Sequence, residues 1–360
     1  MKVLLYIDNL GAGGAQRQLA GLASLLSNDG YEVMVLTYHD WAFYNSLLSD
    51  NIQYLCLEDK GNAIKRLRNF IKILKEFKPK TVISYLRSPN IFACSTKMLG
   101  FYKGRLIVSE RSLTQKCDRS DKAKYFFYRY ADKIVANSYA QLEYIRDNYP
   151  AVYEKSMAIP NFVDLIKFSP GRKEYSQRTN TIIVVASIYE VKNPKRLIQA
   201  ASALKQQGFQ FVIKWFGVDS REDPYYQNCW RLVCDERIKD VFLFLDKTKD
   251  IASEYRKSDF FCLPSLFEGT SNALCEAMAS GLPVACGNIS DNARYVKDGE
   301  TGFLFDPEDV GSMINALSKI LNLTQEEYEA YSTNCRKIAE NNWSDKLFLN
   351  RYKKVIEFVL

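Results

Sequence analysis

The chain has 360 residues, of which 47% are hydrophobic and 25% charged, and its formal net charge is +7. This composition excludes disorder over most of the chain, and the length favours two domains. No apolar run reaches the roughly 18 residues of a membrane-spanning helix, and the apolar start Val3–Ile7 is too short for a secretion signal. Nine scattered cysteines without a C-x-x-C pair, and a single histidine, favour a reducing cytoplasm and disfavour a zinc site.

Short apolar runs alternate with helical patterns along residues 1–160. This alternation predicts a parallel, doubly wound sheet. The predicted strands are Lys2–Ile7, Glu32–Thr37, Gln53–Cys56, Thr81–Tyr85, Arg105–Ser109 and Lys133–Ala136. The predicted helices are Gly14–Ser27, Ala63–Phe77, Asn90–Leu99, Lys122–Tyr130 and Ala140–Asn148.

Turn-forming residues at 159–164, followed by a polar stretch at 171–180, predict a linker. Beyond it the alternation resumes. The predicted strands are Thr181–Ala186, Phe211–Phe216, Val241–Leu245, Asp259–Leu263 and Pro283–Cys286. The predicted helices are Pro194–Gln206, Tyr225–Cys234, Ile251–Lys257, Asn272–Ala279, Val310–Leu321, Gln325–Asn341 and Asp345–Phe358.

Two domains are therefore predicted, at residues 1–160 and 161–345, with a C-terminal helix at 346–360 that could pack back on the first domain. Open α/β sheets bind ligands outside the carboxyl ends of their strands. We therefore expect the active site in a cleft between the two domains.

Charge is distributed unevenly, with +8 on residues 1–160 and −1 on the rest. A basic half suggests an anionic partner, such as a membrane surface, a phosphate-bearing ligand or nucleic acid.

Six cations lie between Lys65 and Lys78, and apolar residues recur there at helical spacing. This pattern favours a helix that packs an apolar stripe on the sheet and leaves a basic face able to attract anionic lipid. The stripe comprises Ile64, Leu67, Ile71, Leu74 and Phe77.

A glycine-rich segment, Asn9–Arg17, follows the first predicted strand and opens a helix. Such a helix start can bind an anion, because glycine permits close approach of the backbone. The segment is not a dinucleotide fingerprint, since Gln16 replaces its last glycine and Thr37, not an acid, ends the second strand. A dehydrogenase is therefore disfavoured. The alternative is a tight turn without a ligand.

The strongest signal is the segment Phe267–Pro283. Its Thr270-Ser271-Asn272 sequence suits a helix N-cap, which would direct the positive end of the helix dipole at an anion. Glu268 and Glu276 flank this position, and carboxylates accept hydrogen bonds from sugar hydroxyls. The layout fits a nucleotide-sugar, with the diphosphate at the helix start. The alternative is two solvated glutamates beside a buried helix.

The spacing of Glu268 and Glu276 resembles the E-x7-E motif of retaining glycosyltransferases with the GT-B fold. This large, family 4-like group includes sucrose synthase-like enzymes and transferases that build lipopolysaccharide or capsule. The resemblance runs in order along nearly the whole chain. Other matching segments are Gly13–Gln16 (G-G-A-E), Ser109–Arg111 (S-E-H), Asn161–Asp164 (P-N-x-V-D), Val185–Pro194 (G-R-x4-K-N) and Asp298–Gly302 (D-G-x-T-G).

The resemblance implies an α/β protein with two doubly wound, Rossmann-like domains facing a central cleft. The first domain would bind the acceptor and the second the nucleotide-sugar. Glu276 would hold the ribose hydroxyls, Glu268 the donor sugar, and Lys192 the leaving diphosphate. Candidate catalytic residues are Glu268, Lys192 and Arg111. Further donor contacts are expected from Gly14, Gly269, Thr270, Ser271, Asn272 and Ala273, and acceptor contacts from Gly13, Gln16 and Arg111.

Two positions depart from the family pattern. Ser187 stands where the family has an arginine, and Arg111 stands where it has a histidine. The leaving nucleoside diphosphate gains negative charge, which must still be balanced. Arg111 is therefore expected either to supply the cation that Ser187 lacks or to bind the acceptor.

The chain has no D-x-D sequence for a metal-bound diphosphate. We expect no metal and no cofactor other than the nucleotide-sugar co-substrate, with the helix dipole and Lys192 in place of a metal. The family's retaining reaction is usually interpreted as front-face attack, in which the leaving phosphate takes the acceptor's proton. That mechanism needs no protein base, which suits a chain whose single histidine is His39.

We therefore predict a retaining, metal-independent hexosyltransferase that uses a nucleotide-sugar, UDP-linked in our interpretation, and a lipid-linked or surface-polysaccharide acceptor. The expected location is cytoplasmic and peripheral on the inner face of the membrane. No nucleic-acid motif is visible, so nucleic acid is not an expected partner. The alternatives are a nucleotide-sugar epimerase of similar shape, which would turn over donor without acceptor, and a non-enzymatic, basic membrane-binding module.

Overall fold

The computed structural model describes residues 1–57, 59, 61–171 and 178–357. The chain divides into two compact units, Met1–Asn161 together with the chain from Asp345 onward, and Phe162–Ser344. The polar stretch predicted as part of the linker falls partly at 172–177, outside the described residues, as does Phe358, the predicted end of the C-terminal helix.

The first unit contains a seven-stranded parallel sheet in the order β3-β2-β1-β4-β5-β6-β7. Its strands are β1 Lys2–Tyr6, β2 Glu32–Thr37, β3 Gln53–Cys56, β4 Thr81–Tyr85, β5 Arg105–Glu110, β6 Lys133–Ala136 and β7 Ser156–Ala158. Its helices are α1 Gly14–Asn28, α2 Ala63–Phe77, α3 Arg87–Met98, α4 Arg119–Tyr128, α5 Tyr139–Asn148, α6 Pro150–Tyr153 and the C-terminal α14 Asp345–Glu357.

The second unit contains a six-stranded parallel sheet in the order β10-β9-β8-β11-β12-β13. Its strands are β8 Thr181–Val185, β9 Val212–Val218, β10 Phe242–Asp246, β11 Phe260–Leu263, β12 Val284–Gly287 and β13 Gly302–Phe305. Its helices are α7 Pro194–Gln206, α8 Pro224–Asp235, α9 Ile251–Lys257, α10 Asn272–Ala279, α11 Asn292–Tyr295, α12 Val310–Leu321 and α13 Gln325–Trp343.

Both sheets are covered on both faces, because apolar side chains point alternately to either side of a strand. In β8, Ile182 and Val184 join one apolar core, whereas Ile183 joins a separate core on the other face. In β1, Leu4 and Tyr6 join one core, and the intervening Leu5 is also fully buried. The predicted α/β class with two doubly wound parallel sheets is thus confirmed.

The packed face of helix α2 differs from its predicted apolar stripe at the start of the helix. Ile64 is 72% exposed, whereas Arg66 is buried. The Arg66 guanidinium pairs with the buried Asp59 carboxylate and stacks 3.6 Å from the centre of the Tyr38 ring. This partnered cation replaces Ile64 on the packed face, and Phe70, Leu74 and Phe77 complete that face. The prediction that Ile64 lies on the packed face was therefore wrong, because a buried ion pair can occupy a core-facing position when both charges are satisfied.

The C-terminal helix α14 packs within the first unit. The Tyr352 hydroxyl lies 2.6 Å from the Tyr85 hydroxyl, and the Arg105 Nη1 atom donates to the Val355 carbonyl at 3.0 Å. On the surface, Lys353 pairs with Asp29 at 2.7 Å. Residues at the end of the chain therefore help to build the region around β4 and β5.

Candidate active site

Two loops of the second unit leave the sheet side by side. Strands β8 and β11 are hydrogen-bonded neighbours and run parallel. The loops that follow them therefore emerge at the same, carboxyl edge, where open α/β sheets bind ligands. The main chain joins these loops directly, since the Leu266 N–H donates to the Val191 carbonyl at 2.9 Å.

The two loops bring together Lys192 and Glu268. The Lys192 Nζ atom lies 2.5 Å from Glu268 Oε1, and the same carboxylate oxygen accepts a hydrogen bond from the Ser265 hydroxyl at 2.8 Å. Both side chains are mostly buried but retain access to solvent. Residues 76 positions apart thus form one charged pair at the sheet edge.

Asn193 holds the loops in this arrangement. Its backbone adopts the left-handed conformation, with φ 61° and ψ 40°, directly before Pro194 at the first position of α7. Its side-chain amide donates to the carbonyls of Pro264 at 3.0 Å and Pro307 at 2.7 Å. Our prediction did not include Asn193 among the site residues. An asparagine before a helix-initiating proline is a sequence signal for it, because asparagine tolerates positive φ.

Helix α10 carries the other donor-site candidates of the second unit. Ser271 caps it, accepting a hydrogen bond from the Leu274 N–H at 3.4 Å. Gly269 and Thr270 lie in the loop before the cap, and Asn272 and Ala273 form the first turn. Glu276 lies in the second turn and is only 2% exposed. The structure therefore places the N-terminus of α10 and both glutamates on one loop–helix segment after β11.

In the first unit, the glycine-rich segment forms the turn between β1 and α1. Gly13 is the N-cap residue and Gly14 the first residue of the helix. The Gln16 side-chain amide donates to Asp8 Oδ1 at 3.2 Å, and the Asn9 side chain accepts from the Gly11 N–H at 2.7 Å. Burial raises the pKa of the Asp8 carboxyl above its ordinary value. Gln16 thus contacts a half-buried carboxylate at the carboxyl edge of this sheet.

Arg111 follows β5 at the same edge of the first sheet. Its guanidinium stacks 4.7 Å from the centre of the Tyr85 ring and donates to the Asn161 side-chain oxygen. Its carbonyl accepts a hydrogen bond from the Asn137 amide at 3.0 Å. Strand β4 separates β5 from β1, so Arg111 extends from a different part of the edge than Gly13 and Gln16.

The residue before Arg111 is committed to a buried network. The Glu110 carboxylate pairs with Lys124 Nζ at 2.9 Å and accepts a hydrogen bond from the Tyr128 hydroxyl. Lys124 also pairs with Asp121 at 2.8 Å. These groups are almost fully buried, so Glu110 holds the start of the loop in place. Arg111, the next residue, is partly exposed and can reach a ligand.

Within the described ranges, no three histidine, cysteine, aspartate or glutamate side chains form a group that could hold a metal ion. None of the helices described there is both long and apolar enough to cross a bilayer.

The fold of the chain is that of solved GT-B glycosyltransferases. The Anabaena protein HepE, solved in complex with UDP-glucose, superposes with a TM-score of 0.86 over 99% of both chains at 16% sequence identity. Two family models match consecutive parts of the sequence. These are Glycosyltransferase Family 4 over residues 12–167 and Glycosyl transferases group 1 over residues 167–338. The chain therefore belongs to the GT-B glycosyltransferases that combine these two domains, as the sequence predicted.

Two curated relatives are bacterial enzymes. A Campylobacter jejuni protein named N-acetylgalactosamine-N,N'-diacetylbacillosaminyl-diphospho-undecaprenol 4-alpha-N-acetylgalactosaminyltransferase is 26% identical over 89% of this chain and 90% of its own length. An Escherichia coli protein named UDP-Gal:alpha-D-GlcNAc-diphosphoundecaprenol alpha-1,3-galactosyltransferase is 32% identical over 53% of this chain and 51% of its own. The identification of this chain as a glycosyltransferase is thus confirmed.

Proposed function

We propose that this glycosyltransferase moves a hexose from a UDP-sugar to a lipid-linked saccharide acceptor, with retention at the anomeric carbon and without a metal ion. The observation that carries the proposal is the Lys192–Glu268 pair beside the N-terminus of α10. A cation, a helix start and a carboxylate are the groups that a diphosphate joined to a sugar requires.

The donor would lie along this segment with its diphosphate at the start of α10. The Lys192 ammonium group has three donors, so it can keep Glu268 in place while it also contacts a phosphate oxygen. Glu268 would accept hydrogen bonds from hydroxyls of the hexose, and Glu276 from those of the ribose. Main-chain N–H groups of Ser271 to Ala273 would complete the contacts of this segment with the donor.

In the proposed reaction, the bond between the anomeric carbon and the phosphate oxygen breaks while the acceptor oxygen forms its bond on the same face. The departing phosphate oxygen takes the proton of the acceptor hydroxyl, so no protein base is required. Negative charge grows on the diphosphate as the bond breaks, and Lys192 and the dipole of α10 stabilise that charge.

Arg111 is the cation that we assign to either the leaving diphosphate or the acceptor. Its guanidinium is held by Tyr85 and Asn161, which preorganises it for a second anionic group. If that group is the leaving diphosphate, Arg111→Ala will lower kcat. If that group belongs to the acceptor, the same variant will instead have a raised KM for the acceptor.

The acceptor class is supported by the names of the relatives. Both the Campylobacter and the Escherichia proteins are named for transfer to sugars carried on undecaprenyl diphosphate. The Escherichia name specifies a UDP-sugar, and HepE was solved with UDP-glucose. These names support a UDP-linked donor and an acceptor sugar that is carried on a polyprenyl diphosphate.

The direct test is a transfer assay with purified protein. UDP-, GDP- and ADP-hexoses are supplied with a short-chain polyprenyl diphosphate carrying N-acetylgalactosamine or N-acetylglucosamine, with and without EDTA. We expect transfer from a UDP-sugar that EDTA does not abolish, and an axial glycosidic bond identified by proton NMR coupling. An equatorial product, loss of activity in EDTA, or epimerisation of the donor without acceptor would contradict the proposal.

The basic face of α2 predicts salt-sensitive binding to anionic membranes. Lys65, Arg68, Lys72 and Lys75 are exposed on this helix, and polybasic attraction amounts to about 1 kcal/mol per cation near an anionic surface. We therefore expect the protein to sediment with phosphatidylglycerol-containing liposomes at low salt, to be released by salt, and to leave phosphatidylcholine liposomes unbound.

The matching variant replaces these four cations with glutamine, and it should lose most of this binding without unfolding. A control removes the same number of charges from exposed positions of the second unit, namely Lys239, Lys249, Lys319 and Lys337. Equal losses in both variants would show a net-charge effect only. Wild-type protein that stays in the supernatant at low salt would exclude the peripheral-membrane proposal.

A further inference from the structure

The loop after β2 exposes large aromatic side chains. Trp41 is 67% exposed and Phe43 is 47% exposed. Strands β1 and β2 are parallel neighbours, so this loop leaves the sheet at the same edge as the turn that contains Gly13 and Gln16. Two exposed aromatic rings at a ligand-binding edge mark a contact surface.

The main chain fixes this loop against the glycine-rich turn. The Leu10 N–H donates to the Trp41 carbonyl at 2.8 Å, and the Tyr44 N–H donates to the Leu10 carbonyl at 2.9 Å. The His39 N–H donates to the Asp8 carbonyl at 2.9 Å. The Trp41 ring lies nearly parallel to the His39 ring, at 26° with 6.0 Å between the ring centres. The main chain of Trp41 is therefore fixed against the turn that carries Asp8 and Gln16, although its ring is open to solvent.

The charge of this loop decides which kind of partner it suits. Residues 38–52 contain Asp40 and Asp50 but no lysine or arginine, although the first 160 residues carry a net charge of +8. An anionic bilayer would be repelled at this position and attracted to the basic face of α2 instead. An aromatic ring flanked by carboxylate and amide groups suits a sugar, whose C–H face packs on the ring while its hydroxyls bond to the polar groups.

We propose that Trp41 is a stacking platform for a sugar ring of the acceptor, with Asp8 and Gln16 binding hydroxyls at its edge. This inference rests on the proposed transfer to a saccharide acceptor and assigns the subsite that recognises it. Phe43, on the same loop, extends the apolar surface to the next part of the acceptor.

Trp41→Ala and Trp41→Phe test the platform in the transfer assay. For Trp41→Ala we expect the acceptor KM to rise about tenfold, a magnitude typical of one lost aromatic contact. The acceptor KM of Trp41→Phe should lie between that of Trp41→Ala and that of the wild type. The donor KM and the acceptor-independent hydrolysis of the donor should stay unchanged. The matched control is Phe101→Ala, which removes another ring that is 48% exposed, in the loop before β5 at the opposite edge of the sheet.

A binding measurement keeps the test independent of turnover. Methyl glycosides of N-acetylgalactosamine and N-acetylglucosamine are titrated while tryptophan fluorescence is recorded. We expect a saturable change in the wild type and the Phe101→Ala variant that disappears in Trp41→Ala. Failure of transfer with any acceptor would count against the proposed function, whereas this titration would still report on Trp41.

Two results would overturn the inference. The first is an unchanged acceptor KM in Trp41→Ala, or an equal fluorescence change with and without Trp41, while the wild type transfers normally. The second is a loss of binding to anionic liposomes in Trp41→Ala with the acceptor KM preserved, which would make the loop a membrane contact.

Discussion

Replacing Lys192 with alanine is expected to lower kcat by about 10²- to 10³-fold, with a smaller effect on donor affinity. The leaving diphosphate gains charge as the glycosidic bond breaks, so a cation beside it stabilises the transition state more than the bound donor. The measurements are kcat from the transfer assay and the Kd of UDP from calorimetry.

Lys195→Ala provides the matched control for charge. Lys195 lies three residues later, is exposed, and has its ammonium group 5.1 Å from the centre of the Tyr225 ring. Its removal should leave kcat within about twofold of the wild type, as is usual for a surface residue that does not contact the reacting groups. A Lys192→Ala variant with unchanged kcat and only a raised donor KM would assign Lys192 to ground-state binding instead.

Replacing Glu276 with alanine is expected to weaken UDP binding by about 10- to 150-fold, which corresponds to roughly 1.5–3 kcal/mol for hydrogen bonds to a charged acceptor. The carboxylate lies in the second turn of α10 and is 2% exposed, so water replaces the lost contacts poorly. Calorimetric titration of UDP into the wild type and the variant measures the change.

Because Glu276 is buried, its truncation also changes the packing of α10, and ligand analogues separate the two effects. The wild type should bind 2′,3′-dideoxy-UDP much more weakly than UDP, whereas Glu276→Ala should bind both equally. Glu276→Gln keeps the size of the side chain and should retain the fold with intermediate affinity. If the variant still prefers UDP by the wild-type factor, Glu276 does not contact the ribose.

Most of the secondary structure could be predicted from local sequence. The spacing of apolar residues located the central strands of both sheets to within about two residues, since each of these strands is a short apolar run with turn residues on either side. Strand β13 was missed because it has only four residues and begins at Gly302. The place of that glycine in the sheet is set by close packing against β12 and not by a local sequence pattern. A Cβ atom at Gly302 would lie 1.8 Å from the Val284 carbonyl oxygen, so only glycine permits this pairing with β12.

The spacing of apolar residues gave a wrong prediction in α2, where an ion pair is buried. The spacing in α2 counts Arg66 as polar and Ile64 as apolar, and nothing near Arg66 in the helix identifies its partner. Asp59, in the preceding loop, and Tyr38, after β2, supply the charge and the ring that allow Arg66 to be buried. Those contacts exist only after the chain has folded, so the burial of Arg66 could not be predicted from the sequence of α2.

The sequence by itself determined the fold class, the family and the chemical types of the candidate site residues. These follow from short-range patterns, namely strand–helix alternation, the Glu268–Glu276 spacing and the Lys192-Asn193-Pro194 segment. Only the tertiary structure decided that Lys192 meets Glu268, that Asn193 joins the loops at Pro264 and Pro307, and that Tyr85 lies under Arg111. Each of these contacts joins residues far apart in the chain, and strand order, which local sequence does not encode, brings them to one edge of a sheet.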